Sequence, residues 1–101
     1  MDSVPSISVH QLAEAMASEN PPILLDVRED AEVAADHLPN IVHIPLADLQ
    51  LRATELPVCQ PIAVICKVGG RSARATAFLI SEGFEAVNVA GGMLAYRTEI
   101  A

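Results

Sequence analysis

A cysteine stands at the start of a glycine-bearing turn, in residues 66–71 (CKVGGR). The apolar run 62–65 before it predicts a buried strand, and residues 72–82 after it predict a helix. The backbone N–H groups of such a turn can converge on an anion, and the helix dipole adds partial positive charge. These surroundings favour a thiolate. The sequence therefore predicts a nucleophile at Cys66, with an inert core thiol as the alternative.

The loop after Cys66 offers further groups that can bind an anion. Gly69 and Gly70 allow backbone angles with φ > 0, so several amides can point inward. Arg71 can orient an oxyanion, and Lys67 adds a mobile positive charge. The same surroundings would hold a persulfide, Cys–S–S⁻, since its outer sulfur is also an anion. The predicted substrate-binding loop consists of Lys67, Val68, Gly69, Gly70, Arg71 and Ser72.

The length of this loop separates two chemistries. Protein tyrosine phosphatases use the pattern Cys-x5-Arg, which is wide enough to hold a phosphate group. Here only four residues lie between Cys66 and Arg71. The narrower loop favours a single sulfur atom, and a small phosphatase or arsenate reductase is the weaker alternative.

Charge is distributed unevenly along this acidic chain, whose net charge is −7. Residues 1–48 hold nine acids and one base, whereas residues 49–101 hold four acids and five bases. Three of the six basic residues, Lys67, Arg71 and Arg74, follow Cys66 closely. This concentration favours a small anionic substrate, although three solvated side chains on a helix would give the same pattern. The acidic balance argues against nucleic acid as a partner.

The totals predict one compact domain spanning residues 1–101. No apolar stretch reaches the roughly 18 residues that a membrane-spanning helix needs. Residues 1–5 lack the features of a secretion signal, so we expect a cytoplasmic protein. The two cysteines are expected to be free thiols, and no metal-ligand spacing is present. Cys59 is either a resolving thiol for Cys66 or an unengaged loop cysteine.

Strand-like and helix-like segments alternate along the chain. This alternation predicts an α/β fold with a mostly parallel sheet and places Cys66 beyond the carboxyl end of a strand. The predicted strands are residues 6–7, 23–27, 41–44, 62–65 and 87–89, and the predicted helices are residues 9–18, 29–35, 46–51, 72–82 and 93–99.

Four short motifs together resemble a rhodanese-like (sulfurtransferase) domain. They are residues 25–29 (LDVRE), 37–39 (HLP), 66–72 (CKVGGRS) and 88–93 (NVAGGM). The resemblance implies a central five-stranded sheet flanked by helices on both faces. It also implies that Cys66 takes the outer sulfur of a donor such as thiosulfate, forms a persulfide and passes the sulfur to an acceptor. No metal or organic cofactor is implied.

The resemblance leaves several roles open. Asp26 and Arg28 either brace the loops near the site, which we favour, or position a substrate. Asp36 and Asn40 stand where the family commonly has glycine, and both residue types tolerate left-handed backbone at some cost. The expected partners are a small anionic sulfur donor and a protein sulfur acceptor or carrier, with the protein itself a monomer. A persulfide carrier or a docking module with little small-molecule turnover is the alternative to an enzyme.

Overall fold

A computed structural model describes residues 4–101; residues 1–3, which belong to the segment compared with a secretion signal, lie outside it. The chain alternates between strands and helices throughout. In chain order the elements are β1 (Ser6–Ile7), α1 (Val9–Met16), β2 (Ile23–Asp26), α2 (Asp30–Ala35), β3 (Ile41–His43), a 3-10 turn (Leu46–Asp48), α3 (Leu49–Arg52), a second 3-10 turn (Ala53–Glu55), β4 (Ile62–Ile65), α4 (Gly70–Ser81), β5 (Ala86–Val89) and α5 (Gly92–Glu99).

The strands form one five-stranded sheet in the order β1-β5-β4-β2-β3, and every neighbouring pair is parallel. This confirms the predicted α/β fold with a five-stranded parallel sheet. Strand β4 lies at its centre, between β2 and β5. Because all strands run in one direction, their carboxyl ends share one edge, and the loop that starts at Cys66 emerges there.

Two apolar clusters cover the two faces of the sheet, as expected for a sheet flanked by helices on both sides. In β4, Ile62 and Val64 belong to one cluster and Ala63 and Ile65 to the other, so side chains alternate between the faces. The first cluster includes residues of α3 and α4, and the second includes residues of α1 and α5. Each large apolar side chain buried in this way contributes roughly 1.5–3 kcal/mol.

Local signals explain where several helices begin and end. Ser8 caps α1 and forms a capping box with Gln11. Gly83, with φ +93°, follows α4 and ends it in the left-handed conformation that glycine adopts readily. The predicted start of α4 at residue 72 is wrong, because Gly69 is the N-cap residue and Gly70 is already helical. Of the two loop glycines, only Gly69 uses φ > 0.

The segment between β2 and β4 departs from expectation in two places. The helical turn predicted over residues 46–51 continues to residue 55, as α3 between two 3-10 turns. Asn40 has φ +61°, the left-handed conformation that its residue type tolerates. Asp36 is instead extended, with φ −165° and ψ 136°, so it needs no glycine-like backbone.

Within residues 4–101, no helix is long and apolar enough to cross a membrane. The same residues contain no cluster of three His, Cys, Asp or Glu side chains arranged to hold a metal ion.

Candidate active site

Cys66 lies where the central strand β4 turns into α4. Strand β4 ends at Ile65, and α4 begins five positions later, at Gly70. The left-handed conformation of Gly69, with φ +107°, turns the chain back toward the sulfur. The loop therefore wraps around the side chain of Cys66, which is only 1% exposed.

Three hydrogen-bonding groups converge on the sulfur of Cys66. The amide of Gly69 donates to Sγ at 3.1 Å, and the amide of Ser72 donates at 3.3 Å. The hydroxyl oxygen of Ser72 lies 3.2 Å from Sγ. All of these groups belong to the loop or the first turn of α4, so the strand-to-helix turn itself builds a binding site for a sulfur anion.

These contacts determine the acidity of the thiol. Burial raises the pKa of Cys66, but hydrogen bonds from the Ser72 hydroxyl and from the amides of Ser72, Gly69 and Val68 lower it. The hydrogen bonds prevail, and the pKa lies below its ordinary value. A lower pKa increases the fraction of thiolate near neutral pH, and the thiolate is the nucleophilic form.

Ser72 also connects the sulfur to a neighbouring strand. Its hydroxyl donates to Oδ1 of Asn88 at 2.5 Å, and Asn88 lies in β5 beside Val64 of β4. The Asn88 amide in turn donates from Nδ2 to the carbonyl oxygen of Gly69 at 3.3 Å. Asn88 therefore contacts both the residue that donates to the sulfur and the loop around it.

A second glycine turn, between β5 and α5, packs against the cysteine loop and hydrogen-bonds to its backbone. The amide of Met93 donates to the carbonyl of Cys66 at 2.8 Å, and that of Leu94 donates to the carbonyl of Lys67 at 3.0 Å. Gly92 makes this approach possible, because a Cβ there would lie 2.6 Å from the carbonyl carbon and oxygen of Lys67. The two turns are thus packed backbone to backbone.

The guanidinium of Arg71 forms an ion pair with Glu32, a residue distant from it in the sequence. It donates two hydrogen bonds to Glu32 of α2, from Nη1 to Oε1 at 2.7 Å and from Nη2 to Oε2 at 2.9 Å. These bonds lower the pKa of Glu32 to about 2. The positive charge near Cys66 is therefore partly neutralised, which the charge distribution along the sequence does not reveal.

Asp26 and Arg28 form a buried ion pair. Arg28 donates from Nε and Nη2 to the Asp26 carboxylate, the shortest distance being 2.8 Å. Nη2 of Arg28 also donates to the carbonyl of Asp36, and its own carbonyl accepts a hydrogen bond from His43. The pair thereby fixes the segment after β2 to the end of α2 and to β3.

Beside the loop lies an open pocket of about 320 Å³. Its charged lining residues are three bases and two acids: Arg28, Lys67, Arg97, Glu32 and Asp36. The apolar side chain of Leu94 also lines the pocket and is exposed, as is Val68 in the loop itself. The rim of the site thus combines a lysine with exposed apolar side chains.

The structure brings the predicted loop residues together around or beside Cys66, with Arg74 exposed further along α4. Cys59 is exposed in the loop before β4 and forms no disulfide. Sequence reasoning missed two site residues, Glu32 and Asn88. Asn88 begins the motif 88–93 and is a polar residue within the apolar strand 86–89, and both features could have indicated it, whereas Glu32 is one of several acids in a short helix.

The fold and this loop agree with the comparison to known families. The rhodanese-like domain family matches residues 8–99. The chain belongs to the rhodanese-like family.

Individual relatives of this rhodanese-like protein agree with that assignment. The chain is 36% identical over 96 residues to "Putative sulfurtransferase YtwF" of Bacillus subtilis, covering 95% of this chain and 93% of that one. It is 39% identical over 92 residues to "Putative sulfur carrier protein YrkF" of the same organism, covering 90% of this chain and half of that protein. A rhodanese-related protein of Thermoplasma volcanium has a similar structure, with a TM-score of 0.88, 33% identity and coverage of 95% and 93%.

These relatives support a role in sulfur transfer or sulfur carriage for the rhodanese-like protein described here.

Proposed function

We propose that this protein is a sulfurtransferase that moves sulfane sulfur from a small anionic donor, such as thiosulfate, to a thiophilic acceptor through a persulfide on Cys66. The observation that carries the proposal is the convergence of the Gly69 amide, the Ser72 amide and the Ser72 hydroxyl on Sγ of Cys66. This arrangement favours a sulfur anion at a position beyond the carboxyl end of the central strand.

The reaction follows from the chemistry of the two sulfur atoms. The Cys66 thiolate attacks the outer sulfur of thiosulfate, a new S–S bond forms to Cys66, and the S–S bond within thiosulfate breaks. Its electron pair leaves with sulfite. The acceptor thiolate then attacks the outer sulfur of the persulfide, and the Cys66 thiolate is regenerated. Each step conserves charge, and neither step needs a general base, since the attacking groups are already anions.

The other loop residues have distinct proposed roles. Lys67 is exposed at the rim, where its charge attracts an anionic donor. Val68, Gly69 and Gly70 supply the backbone that surrounds the sulfur. Arg71 contributes positive charge but is held by Glu32, so we assign it to fixing the loop against α2 as well as to binding. Asp26 and Arg28 support the segment beneath the pocket.

Intact-mass spectrometry after incubation with thiosulfate tests the proposal. We expect the wild-type protein and Cys59→Ser to gain the mass of one sulfur atom and Cys66→Ser to gain none. Cys59→Ser is the matched control, because it removes the other, exposed thiol. The proposal fails if the wild type gains no sulfur from thiosulfate or from any thiol-based sulfane donor. Hydrolysis of an aryl phosphate that depends on Cys66 would favour the phosphatase alternative instead.

A persulfide carrier is the second candidate, supported by the similarity to a protein named as a sulfur carrier and by the burial of Cys66 beside exposed apolar side chains. Val68 and Leu94 are exposed beside the loop, where a protein acceptor could contact them. Turnover separates the two candidates. An enzyme transfers its sulfur repeatedly to small thiols, whereas a carrier loads sulfur and releases it efficiently only to a protein.

A further inference from the structure

Three buried polar side chains lie in a row at the site. Sγ of Cys66 is 3.2 Å from the hydroxyl oxygen of Ser72, which is 2.5 Å from Oδ1 of Asn88. Their exposed fractions are 1%, 0% and 7% respectively. Water therefore has little access to this row, and each hydrogen bond in it must be made between the three side chains and the surrounding backbone.

The proton count in the row is complete when Cys66 is a thiol. The thiol donates to the hydroxyl oxygen of Ser72, and the Ser72 hydroxyl donates to Oδ1 of Asn88. Nδ2 of Asn88 donates to the carbonyl of Gly69 at 3.3 Å. The thiol, the hydroxyl and one N–H of the amide then each have an acceptor, and the row runs in one direction from sulfur to amide.

Loss of the Cys66 proton reverses the requirement. A thiolate can only accept hydrogen bonds, and beside the amides of Gly69 and Ser72 its side-chain neighbour is the Ser72 hydroxyl, which has a single proton to give. If that proton turns to the sulfur, Oδ1 of Asn88 faces the Ser72 oxygen at 2.5 Å with no proton between the two atoms. A half-turn of the Asn88 amide removes this conflict by presenting Nδ2 to Ser72. The rotation gives up the hydrogen bond to Gly69 and leaves Oδ1 facing the Gly69 carbonyl oxygen, but at 3.3 Å this contact is longer, and so less repulsive, than the 2.5 Å contact that the rotation relieves.

We propose that Asn88 is a positioning residue whose side-chain amide turns over when Cys66 loses its proton, so that Nδ2 donates to Ser72 and Ser72 donates to the sulfur. Asn88 thereby influences the fraction of Cys66 that is present as the thiolate, the form that attacks a sulfur donor. An amide suits this task because its two ends differ, one accepting and the other donating hydrogen bonds. The inference rests on the proposed function, since it concerns the same thiolate.

Other charges face this end of the sheet and contribute to the field at Cys66. Arg71 of α4 interacts electrostatically with Cys66 and is itself paired with Glu32 of α2. Lys67 lies in the loop, and the Asp26–Arg28 pair follows β2. None of these groups hydrogen-bonds to Asn88, so a substitution of Asn88 leaves their pairings in place.

The pH dependence of Cys66 alkylation by iodoacetamide tests the inference. A carboxylate accepts hydrogen bonds but does not donate them, so Asn88→Asp holds the Ser72 proton away from the sulfur and also adds negative charge. We expect the apparent pKa of Cys66 to rise by about one unit or more, which lowers the alkylation rate below that pKa about tenfold. The Cys59→Ser background keeps the readout specific to Cys66.

The Ser72→Ala background separates the hydrogen-bond effect from the added charge. If Asn88 acts through Ser72, the rise caused by Asn88→Asp shrinks markedly once Ser72 is alanine. An equal rise in both backgrounds, or no rise in either, overturns the inference. These rates report the thiolate and not sulfur transfer, so a wild type that takes no sulfur would contradict only the proposed function.

The wild-type protein supplies a measurement that does not depend on a variant folding correctly. The side-chain NH₂ resonances of Asn88, followed by NMR through the titration of Cys66, are expected to shift with the same midpoint as the thiol. Resonances that stay unchanged while Cys66 titrates would show that the amide keeps one orientation and would overturn the inference.

Discussion

Two neighbouring turns at the carboxyl edge of the sheet have similar backbone geometry and different tasks. Both lead from a strand into a helix, and both use a left-handed glycine as the N-cap residue, Gly69 with φ +107° and Gly91 with φ +81°. In the cysteine loop the amides point at Sγ of Cys66. In the second turn the amides point at the carbonyls of the cysteine loop itself. One turn binds the sulfur, and the other holds the first in place.

The planarity of the peptide bond links these two tasks. The carbonyl of Lys67 accepts a hydrogen bond from Leu94 at 3.0 Å, which fixes the plane of the peptide joining Lys67 to Val68. The N–H of Val68 belongs to the same plane and points the opposite way. That amide is among those that lower the pKa of Cys66. The second turn thus influences the sulfur without touching it.

Gly92→Ala should break the contact between the two turns and have the largest effect. The new Cβ would lie 2.6 Å from the carbonyl carbon and oxygen of Lys67, at a residue with φ +57°. We expect a loss on the order of 3 kcal/mol in the free energy of unfolding, measured by urea denaturation, because backbone strain and overpacking add. Sulfur loading from thiosulfate should fall with it.

Gly83→Ala is the matched control for that prediction. Gly83 also has positive φ, +93°, but a Cβ there would meet nothing within 4 Å. The free energy of unfolding of Gly83→Ala should fall only by the cost of backbone strain, about 1–2 kcal/mol. Its sulfur loading should be unchanged. Equal losses in the two variants would mean that the packing between the turns contributes nothing.

Ser72→Ala should weaken the binding of the anion while leaving the second turn intact. It removes one hydroxyl that contacts Sγ, and a hydrogen bond to a charged group contributes about 1.5–3 kcal/mol. We therefore expect the apparent pKa of Cys66 to rise by about one to two units, followed by the pH dependence of alkylation. Ser81→Ala, which deletes an exposed hydroxyl at the other end of α4, should leave that pKa unchanged.

Glu32→Gln should show how much the ion pair between Glu32 and Arg71 contributes to the stability of the fold. The pKa of Glu32 is lowered to about 2 from 4.5, so its ionised form stabilises the folded state above pH 4.5 and that contribution disappears as pH falls through 2. We expect the variant to be less stable at pH 7 by about 1 kcal/mol, with the difference closing in acid. The measurement is urea denaturation at several pH values.

The exposed Glu14 of α1 provides the control, since Glu14→Gln should change stability little at any pH. A wild type and a Glu32→Gln variant that differ equally at pH 7 and pH 2 would show that the pair with Arg71 is not the source of the stability.

Gly70→Ala should have the smallest effect and tests which loop glycine the turn needs. Gly70 is the first residue of α4, has no positive φ, and a Cβ there would meet nothing within 4 Å. Alanine there should be neutral or stabilising by up to about 1 kcal/mol, by urea denaturation. Loss of sulfur loading in this variant would mean that the loop must pass through a conformation that only glycine adopts.

The sequence predicted features that depend on local pattern. The continuous apolar runs of β2 and β4 indicated buried parallel strands, and the segment containing Cys66 and two glycines indicated a turn into a helix. The start of α4 was misjudged, because a glycine at the first helical position has no local signal that separates it from a turn glycine. The residue at which α4 begins depends on the contacts of the folded loop, in which the Gly69 amide donates to Cys66.

Features that join distant residues could not be predicted in this way. Glu32 and Arg71 are 39 positions apart, and no pattern in either segment indicates the partner. Asn88 reaches Ser72 only because β5 pairs with β4 in one register, with Asn88 beside Val64. The need for glycine at position 92 likewise follows from a contact between two loops, because a Cβ there would meet the backbone of Lys67.

Locating the added sulfur after incubation with thiosulfate tests most directly whether the two packed turns stabilise a sulfur anion at Cys66. Tandem mass spectrometry assigns the added atom to Cys66 or to Cys59 in the wild type, Gly83→Ala and Gly92→Ala. We expect one extra sulfur on Cys66 in the wild type and in Gly83→Ala, and little or none in Gly92→Ala. Sulfur on Cys59, or equal loading of Cys66 in Gly92→Ala, would contradict the claim that the two packed turns stabilise a sulfur anion at Cys66.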